Sequence, residues 1–463
     1  MSYFITTLGC VKNQADSRQM ALSLQKRGLV LAADATTADV HVINSCAFIE
    51  SARRETIAAI LEAYDARQQT DQKLVVAGCF SQRYANEIKT ELPEVDLAFG
   101  TGQYAAAGSL IVDRFEWQER LQEQEAGQRP ALQSSPGSDL ARLTRAGVSS
   151  RQSSSALETV WAPIKISDGC NRGCSFCAIP AMRGPFQSLA VDAILDEARL
   201  LIAQGVREIC LVSQDTNHFG GQTEALVDLI CRLDEIPGLE WQRLLYMYPD
   251  PLSLAVYRQL APLKLRSFVP YLESPVQHVA PRVLRAMKRY GSMEFFTDFF
   301  GEIRSLYDQL EIRTALLCGF PTEGPAEVDA ALQFIETVRP EKLALFSYSA
   351  EEGTAAWGLA DPVPADEKAC RVNLLRAAHL QVLQELHLQR LGRRYNCMID
   401  KIDSDSTLTA RRPQDAPDID EQVFVELDPA ARRHHWQPGQ IVPLEINGFF
   451  EYDMSGRLVL ESK

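Results

Sequence analysis

The chain has 463 residues, 46% hydrophobic and 23% charged, which is ordinary for a globular protein with room for about three domains of roughly 150 residues. Lysine and arginine number 47 against 61 aspartates and glutamates, a net charge of −14; this argues against a surface that grips nucleic-acid phosphates throughout and suits a basic protein partner. No apolar run reaches the ~20 residues that span a bilayer, the start Met1-Ser2-Tyr3-Phe4 lacks a secretory leader pattern, and eleven cysteines, an odd number, read as reduced thiols of a cytoplasmic protein.

Residues 1–115 alternate strand and helix. Tyr3–Thr7, Val40–Asn44 and Lys73–Ala77 are β-rich runs. A helix capped by Asn13 or Asp16 runs towards Gly28, and a second spans about Glu50 to Gln69 with Ile57, Ile60 and Leu61 on its apolar face. The Arg53-Arg54 pair reads as a solvated helix face. The three strands end at Gly9-Cys10, Ser45-Cys46 and Gly78-Cys79. In an open parallel α/β sheet the carboxyl ends of the strands share one edge, where ligands bind. Cys10, Cys46 and Cys79 are therefore expected to converge, and three thiolates can hold three corners of a four-iron cube. Three unrelated buried thiols are the competing reading.

From 116 to 156 the chain is rich in Gln, Ser, Ala and charge, and it reads as a linker without a core. Residues 157–391 contain six β-rich runs, Pro163–Ser167, Glu208–Ser213, Arg243–Tyr248, Phe268–Leu272, Arg313–Cys318 and Lys342–Ser347, with helical stretches between most of them. Val191–Gln204 is one such helix, closed by Gly205. Six βα units suggest a partial (βα)6 barrel whose chemistry gathers at the carboxyl ends of the strands. After the first strand comes Cys170-Asn171-Arg172-Gly173-Cys174-Ser175-Phe176-Cys177, three cysteines at C-x3-C-x2-C spacing. These suit a four-iron cube with an open corner; a closed zinc site is the alternative, but it lacks a fourth ligand and a nearby histidine. Gln214 and Asp215, Tyr248, Glu273, Gln277 and His278, Gly319, and Tyr348 with Glu351 follow the later strands. Gly319 suits close backbone approach to a cofactor, and His278 reads as a wall residue rather than a proton carrier. Cys210, Cys231, Cys318, Cys370 and Cys397 read as small core residues.

A helix, Ala365–Arg390, leads to residues 392–463. Five short strands are expected there, Asn396–Ile399, Leu408–Ala410, Gln422–Glu426, Ile441–Ile446 and Leu458–Glu461, forming a small antiparallel β-barrel. Residues Arg393–Lys463 hold nine basic against thirteen acidic side chains, a net charge of −4, so this barrel suits a basic protein better than RNA.

The Cys170–Cys177 motif resembles the hallmark of radical S-adenosylmethionine enzymes, and the order of modules resembles the methylthiotransferases, whose carboxyl-terminal barrel is the TRAM domain. Thr7-Leu8-Gly9-Cys10 with Lys12-Asn13, Asn44-Ser45-Cys46-Ala47-Phe48-Ile49-Glu50, Lys165-Ile166-Ser167-Asp168-Gly169-Cys170 with Ala178-Ile179-Pro180, Tyr348-Ser349-Ala350-Glu351-Glu352-Gly353-Thr354, and Glu451-Tyr452-Asp453 are similar to the RimO branch. That resemblance implies two [4Fe-4S] clusters, one on Cys170, Cys174 and Cys177 that cleaves S-adenosyl-L-methionine, the other on Cys10, Cys46 and Cys79 that carries sulfur. It implies a methylthio group placed on the β-carbon of an aspartate in the basic small-subunit ribosomal protein number twelve, with separate electron and sulfur donors and a monomeric enzyme. Phe176, Gln214 and Gly319 are the implied cofactor contacts, Phe176 sheltering the adenine. The MiaB branch, which modifies a transfer-RNA adenosine, is the alternative, and a non-enzymatic electron carrier is a third reading. Val11, Glu273 and Pro321-Thr322-Glu323-Gly324 depart from the usual family wording.

Overall fold

A computed structural model of the chain describes residues 1–68, 71–119, 121, 149–150, 159–360, 362–429 and 431–459. The expected linker lies almost wholly outside these residues, although Ser149–Ser150 pairs in parallel with Thr6–Thr7. The chain forms two compact units. One takes the amino-terminal part together with Asp168–Asn171 and Ala178–Phe186; the other takes Thr159–Ser167, Arg172–Cys177 and everything from Gln187 onwards.

The first unit is built on a parallel sheet. Its strands are β1 (Ser2–Thr7), β2 (Val30–Leu31), β3 (Val40–Ser45), β4 (Lys73–Gly78) and β5 (Leu97–Phe99), in the order β2-β1-β3-β4-β5. The central strand β3 is buried along its whole length, as a strand covered on both faces must be. Helices α1 (Val11–Lys26), α2 (Glu50–Asp65), α3 (Cys79–Arg83), α4 (Ala85–Glu91) and α5 (Ala107–Arg114) lie between and after these strands. Helix α1 starts earlier than its sequence suggested. Cys10, not Asn13 or Asp16, is the N-cap, and no side chain caps it; both polar residues are instead buried inside the first turns. Strand β5 is too short and too plain in composition to stand out in the sequence.

The second unit holds six parallel core strands in two sheets. Trp161–Lys165, Glu208–Val212 and Trp241–Leu244 form one; Tyr271–Glu273, Glu311–Cys318 and Lys342–Ser347 form the other. A single parallel bridge, Gln242 to Phe268, links them, giving the arc of a partial barrel. Amphipathic helices such as Val191–Ala203, Thr223–Asp234 and Met293–Leu306 return the chain between strands. Gly205, at φ +105°, follows the first of these, as expected.

Helix Ala365–Arg390 leads into a closed five-stranded barrel of Arg394–Ser404, Thr407–Arg411, Val423–Glu426, Ile441–Phe450 and Asp453–Leu458. One pairing, between Val423–Glu426 and Asp453–Leu458, is parallel; the rest are antiparallel. The last strand lies earlier than Leu458–Glu461, of which residues 460 and 461 fall outside the described residues. Cys210, Cys318 and Cys397 are buried as expected, but Cys231 is half-buried and Cys370 exposed. Cys370 sits on a helix with a broad solvent face, so its apolar neighbours were a poor guide.

The barrel is locked to the core by buried charge. Arg411 ion-pairs with Glu208 at 2.7 Å and with Asp400 at 2.8 Å. Arg412 meets Glu311 at 2.8 Å, Asp415 at 2.8 Å and Glu421 at 3.1 Å, and Lys342 pairs with the same three carboxylates. These cations hold Glu311 and Glu421 below the usual carboxylate range against the opposing effect of burial.

Candidate iron–sulfur and cofactor sites

In the first unit, register alignment brings the cysteine-bearing strand ends together. Thr7 pairs with Asn44, and Ser45 with Gly78, so the chain leaves β1, β3 and β4 at one edge and enters Cys10, Cys46 and Cys79 there. Two glycines permit this. Gly9 has φ +88°, and a Cβ on it would lie 2.7 Å from the Cys46 Cβ and 3.0 Å from its Sγ. Gly78 has φ +101°, and a Cβ there would lie 2.7 Å from Asn44 Oδ1. Only glycine combines that conformation with so close an approach.

Polar side chains bind the three turns to each other. Asn13 Nδ2 donates to Leu8 O at 2.7 Å and to Ser45 O at 3.3 Å. Asn44 Nδ2 donates to Asn13 O and to Ser17 Oγ, both at 2.8 Å, and Ser45 Oγ donates to Ala77 O. Cys10 is exposed, Cys46 half-buried and Cys79 buried. Burial pushes the Cys46 thiol up to about 12, with the neighbouring Cys10 and Cys79 adding to the rise. Burial likewise raises Cys79, and the Arg183 guanidinium pulls it back part of the way.

These thiols fit an iron–sulfur cluster better than a single ion. Tetrahedral zinc with sulfurs at ~2.3 Å would bring them to about 3.8 Å from one another. Among the described residues the one trio of possible ligands within 4.8 Å is Glu311, Asp415 and Glu421, so at least one pair of these three sulfurs is farther apart. The carboxylate trio is already matched by Arg412 and Lys342.

The second cysteine motif is anchored residue by residue. Gly169, at φ +73°, precedes Cys170, and a Cβ there would collide with Pro185 O and Gly184 O. Cys170 N donates to Gly184 O at 3.2 Å. In the second unit, Ser175 N donates to Met287 O at 2.9 Å, Ser175 Oγ to Ala286 O at 2.8 Å, and Ala356 N to Ser175 O at 2.7 Å. Phe176 packs beside Val283, Met287, Phe320 and Tyr348. Arg172, inside the motif, clasps Asp215 at 2.6 Å and Asp250 at 2.8 Å, and its guanidinium stacks 3.4 Å from the Tyr248 ring centroid. Arg289 lies over the same ring at 4.3 Å and reaches Cys174 Sγ at 3.6 Å. Asp250 also caps the helix Pro251–Leu260 through Leu252 N and Ser253 N.

Gln214 sits just past the second core strand, and both its amide atoms are buried without a hydrogen-bond partner among the described residues. Such a group normally finds one, so this amide suits a polar ligand such as S-adenosylmethionine. Gly319 is closely packed on its own chain. At φ +76°, a Cβ on it would collide with the Lys368 side chain, and its N–H donates to Glu323 at 2.9 Å. His278 also gains a partner that the sequence did not reveal. Its Nδ1 accepts from Ala280 N at 3.0 Å, and its Nε2 lies 3.3 Å from Glu323. Burial would raise the Glu323 carboxyl, but His278, Arg371 and Gly319 N together hold it below the usual range.

Three family models match in succession: uncharacterized protein family UPF0004 over residues 2–100, the radical SAM superfamily over 164–335 and the TRAM domain over 391–459. The class is thus a radical S-adenosylmethionine enzyme with an amino-terminal α/β domain and a TRAM barrel. Among solved structures, the radical S-adenosylmethionine methyltransferase TsrM of Kitasatospora setae shares the fold at TM-score 0.52 and 14% identity, over 87% of this chain and 79% of that one. Ribosomal protein uS12 methylthiotransferase RimO of Leptospira biflexa is 41% identical over 99% of this chain and 97% of its own length. Those of Anaeromyxobacter sp. strain K and Aquifex aeolicus are 36% and 32% identical, over 98% and 99% of this chain and 93% and 97% of their own. The chain belongs to the RimO family of ribosomal protein uS12 methylthiotransferases. No helix among the described residues is long and apolar enough to cross a membrane.

Proposed function

We propose that this protein attaches a methylthio group to the β-carbon of an aspartate in ribosomal protein uS12, using two [4Fe-4S] clusters and S-adenosylmethionine. The observation that carries the reading is the meeting of Cys10, Cys46 and Cys79 at one edge of a parallel sheet, in a chain that also carries the Cys170, Cys174 and Cys177 motif. Cys170, Cys174 and Cys177 hold the first cluster, and Cys10, Cys46 and Cys79 the second. Such a pair supplies a carbon-centred radical from S-adenosylmethionine and a soft sulfur to trap the substrate carbon that it leaves.

The chain's own residues hold and shape these sites. Arg172, locked by Asp215 and Asp250, stiffens the motif loop. Arg289 places a cation 3.6 Å from Cys174 Sγ. Gln214 presents its unpaired amide to the polar end of the cofactor, and Phe176 contributes an apolar wall for the adenine. Gly319 keeps the loop after the fifth core strand close to Lys368. The acidic barrel, at −4, suits a basic ribosomal protein rather than transfer RNA. A ribosomal substrate supports a cytoplasmic location for the enzyme. Intact-mass analysis of uS12 from cells with and without this gene tests the proposal: the parent strain is expected to show a gain of one methylthio group in place of hydrogen, and equal masses refute it.

A further inference from the structure

Arg183 lies six residues beyond the C-x3-C-x2-C motif, yet it is packed among the residues of the amino-terminal cysteine site. Its short helix, Ile179–Arg183, is embedded there. Met182 is buried against the cluster that includes Leu8, Ile43, Cys79 and Phe80, and its carbonyl accepts from Thr101 Oγ1 at 2.8 Å.

The Arg183 side chain, 2% exposed, reaches in two directions. Nη2 donates to Asn13 Oδ1 at 2.9 Å and to Asp16 Oδ2 at 2.8 Å. Asn13 in turn holds the carbonyls of Leu8 and Ser45, the backbone just before Gly9-Cys10 and Cys46. Nη1 donates the other way, to Asp168 Oδ1 at 3.2 Å, two residues before Cys170. The backbone that follows completes the link, because Gly184 O accepts from Cys170 N and Pro185 O lies where a Gly169 Cβ would be. One side chain and the next two peptide units thus tie the turns carrying Cys10, Cys46 and Cys170 to each other. A planar guanidinium can address acceptors on both sides at once; an ammonium on a flexible stem cannot hold that fork. A buried ion pair is by itself weak evidence for stability, so the arrangement calls for a reason beyond folding.

We infer that Arg183 is a positioning residue that holds the turn carrying Cys170 to the turns carrying Cys10 and Cys46 and supplies a cation that tunes the amino-terminal site. The inference rests on the two-cluster reading above. A nearby positive charge favours the reduced form of a cluster, and net charge and hydrogen bonding are among the quantities that set such potentials. The fork keeps the turns of Cys10, Cys46 and Cys170 in register; Lys keeps the charge without the fork, and Gln keeps neither.

The test uses the full chain, reconstituted anaerobically. Spectroscopic redox titration is done in a Cys174→Ala/Cys177→Ala background, where only the amino-terminal site loads. Arg183→Gln is expected to raise the oxidised-to-reduced ratio at fixed potential at least tenfold, a fall in midpoint of about 59 mV for one electron, whereas Arg183→Lys titrates like its parent. In the chain with both sites intact, each variant is expected to release deoxyadenosine while its yield of methylthiolated peptide per deoxyadenosine falls at least tenfold. If Arg183→Gln titrates like its parent with full iron content, or Arg183→Lys keeps the parental coupling ratio, the inference is overturned. Should Arg183→Gln not fold, Arg183→Lys decides the case through the coupling ratio. A parent enzyme that transfers no methylthio group would sink the family reading instead, and the titration would still report on Arg183.

Discussion

Replacing Gly9 with alanine tests the amino-terminal site where its construction is tightest. Backbone at φ +88° costs a residue with a Cβ about 1–3 kcal/mol. The added carbon would also lie 2.7 Å from Cys46 Cβ, 3.0 Å from Cys46 Sγ and 3.2 Å from Asn13 Nδ2. Asn13 is held to Leu8 O and Ser45 O, so the neighbours cannot simply swing aside; overpacking of this kind adds about 1–3 kcal/mol. The total is about 2–6 kcal/mol, and relief requires Cys46 to move relative to Cys10. Gly205 is the control, because at φ +105° it has nothing within 4 Å of a new Cβ and carries the backbone strain alone. Both variants, purified anaerobically as full chains, are compared by denaturant unfolding and by iron and sulfide content. Gly9→Ala is expected to lose about half the iron of the parent and to keep deoxyadenosine release, while Gly205→Ala keeps its iron. Full loading and turnover in Gly9→Ala, or equal iron loss in Gly205→Ala, would refute the reasoning.

Arg412→Met removes one of the cations shared by Glu311, Asp415 and Glu421, and should destabilise the core–barrel unit by about 3–5 kcal/mol in denaturant melts; a loss under about 1 kcal/mol contradicts a buried network. Gln214→Ala should weaken S-adenosylmethionine binding to the reconstituted enzyme by about 1–3 kcal/mol, roughly 5- to 150-fold, without lowering the stability of the cofactor-free chain, because the amide has no hydrogen-bond partner among the described residues to lose; calorimetric titration giving parental affinity rejects the assignment. His41 is buried, which holds its pKa down to about 4 from an ordinary 6.5. The unfolded chain therefore binds the extra proton between those values, and stability falls as pH drops from about 6.5 towards 4, by up to about 3 kcal/mol. His41→Gln, which can still reach the Thr6 hydroxyl now 2.8 Å from Nε2, should flatten that slope in pH-dependent melts.

Much of the candidate site is legible along the chain because βα repetition is a local pattern with a fixed spatial outcome. Once three parallel strands each end in a cysteine, right-handed returns bring those cysteines to one edge. The C-x3-C-x2-C motif is more local still, since its spacing alone keeps three thiols in one loop. The six core strands and the helix Ala365–Arg390 follow from periodicity in the same way. The sequence misplaced the start of α1, where Cys10 rather than a polar side chain is the cap, and it counted Cys370 as core. Both errors come from reading composition without knowing which face is covered.

What the linear chain determined by itself, then, was the set of modules, their order and the six cysteines, since each is written in short-range spacing. Tertiary structure alone decided that Ala178–Phe186 groups with the amino-terminal unit, that Arg183 faces Asn13 and Asp16, and that Glu208 and Glu311 meet Arg411 and Arg412 out of water. Those partners stand roughly 100 to 200 positions apart. A charged residue carries no local mark of whether it will be solvated or paired; only packing removes the water and supplies the opposite charge.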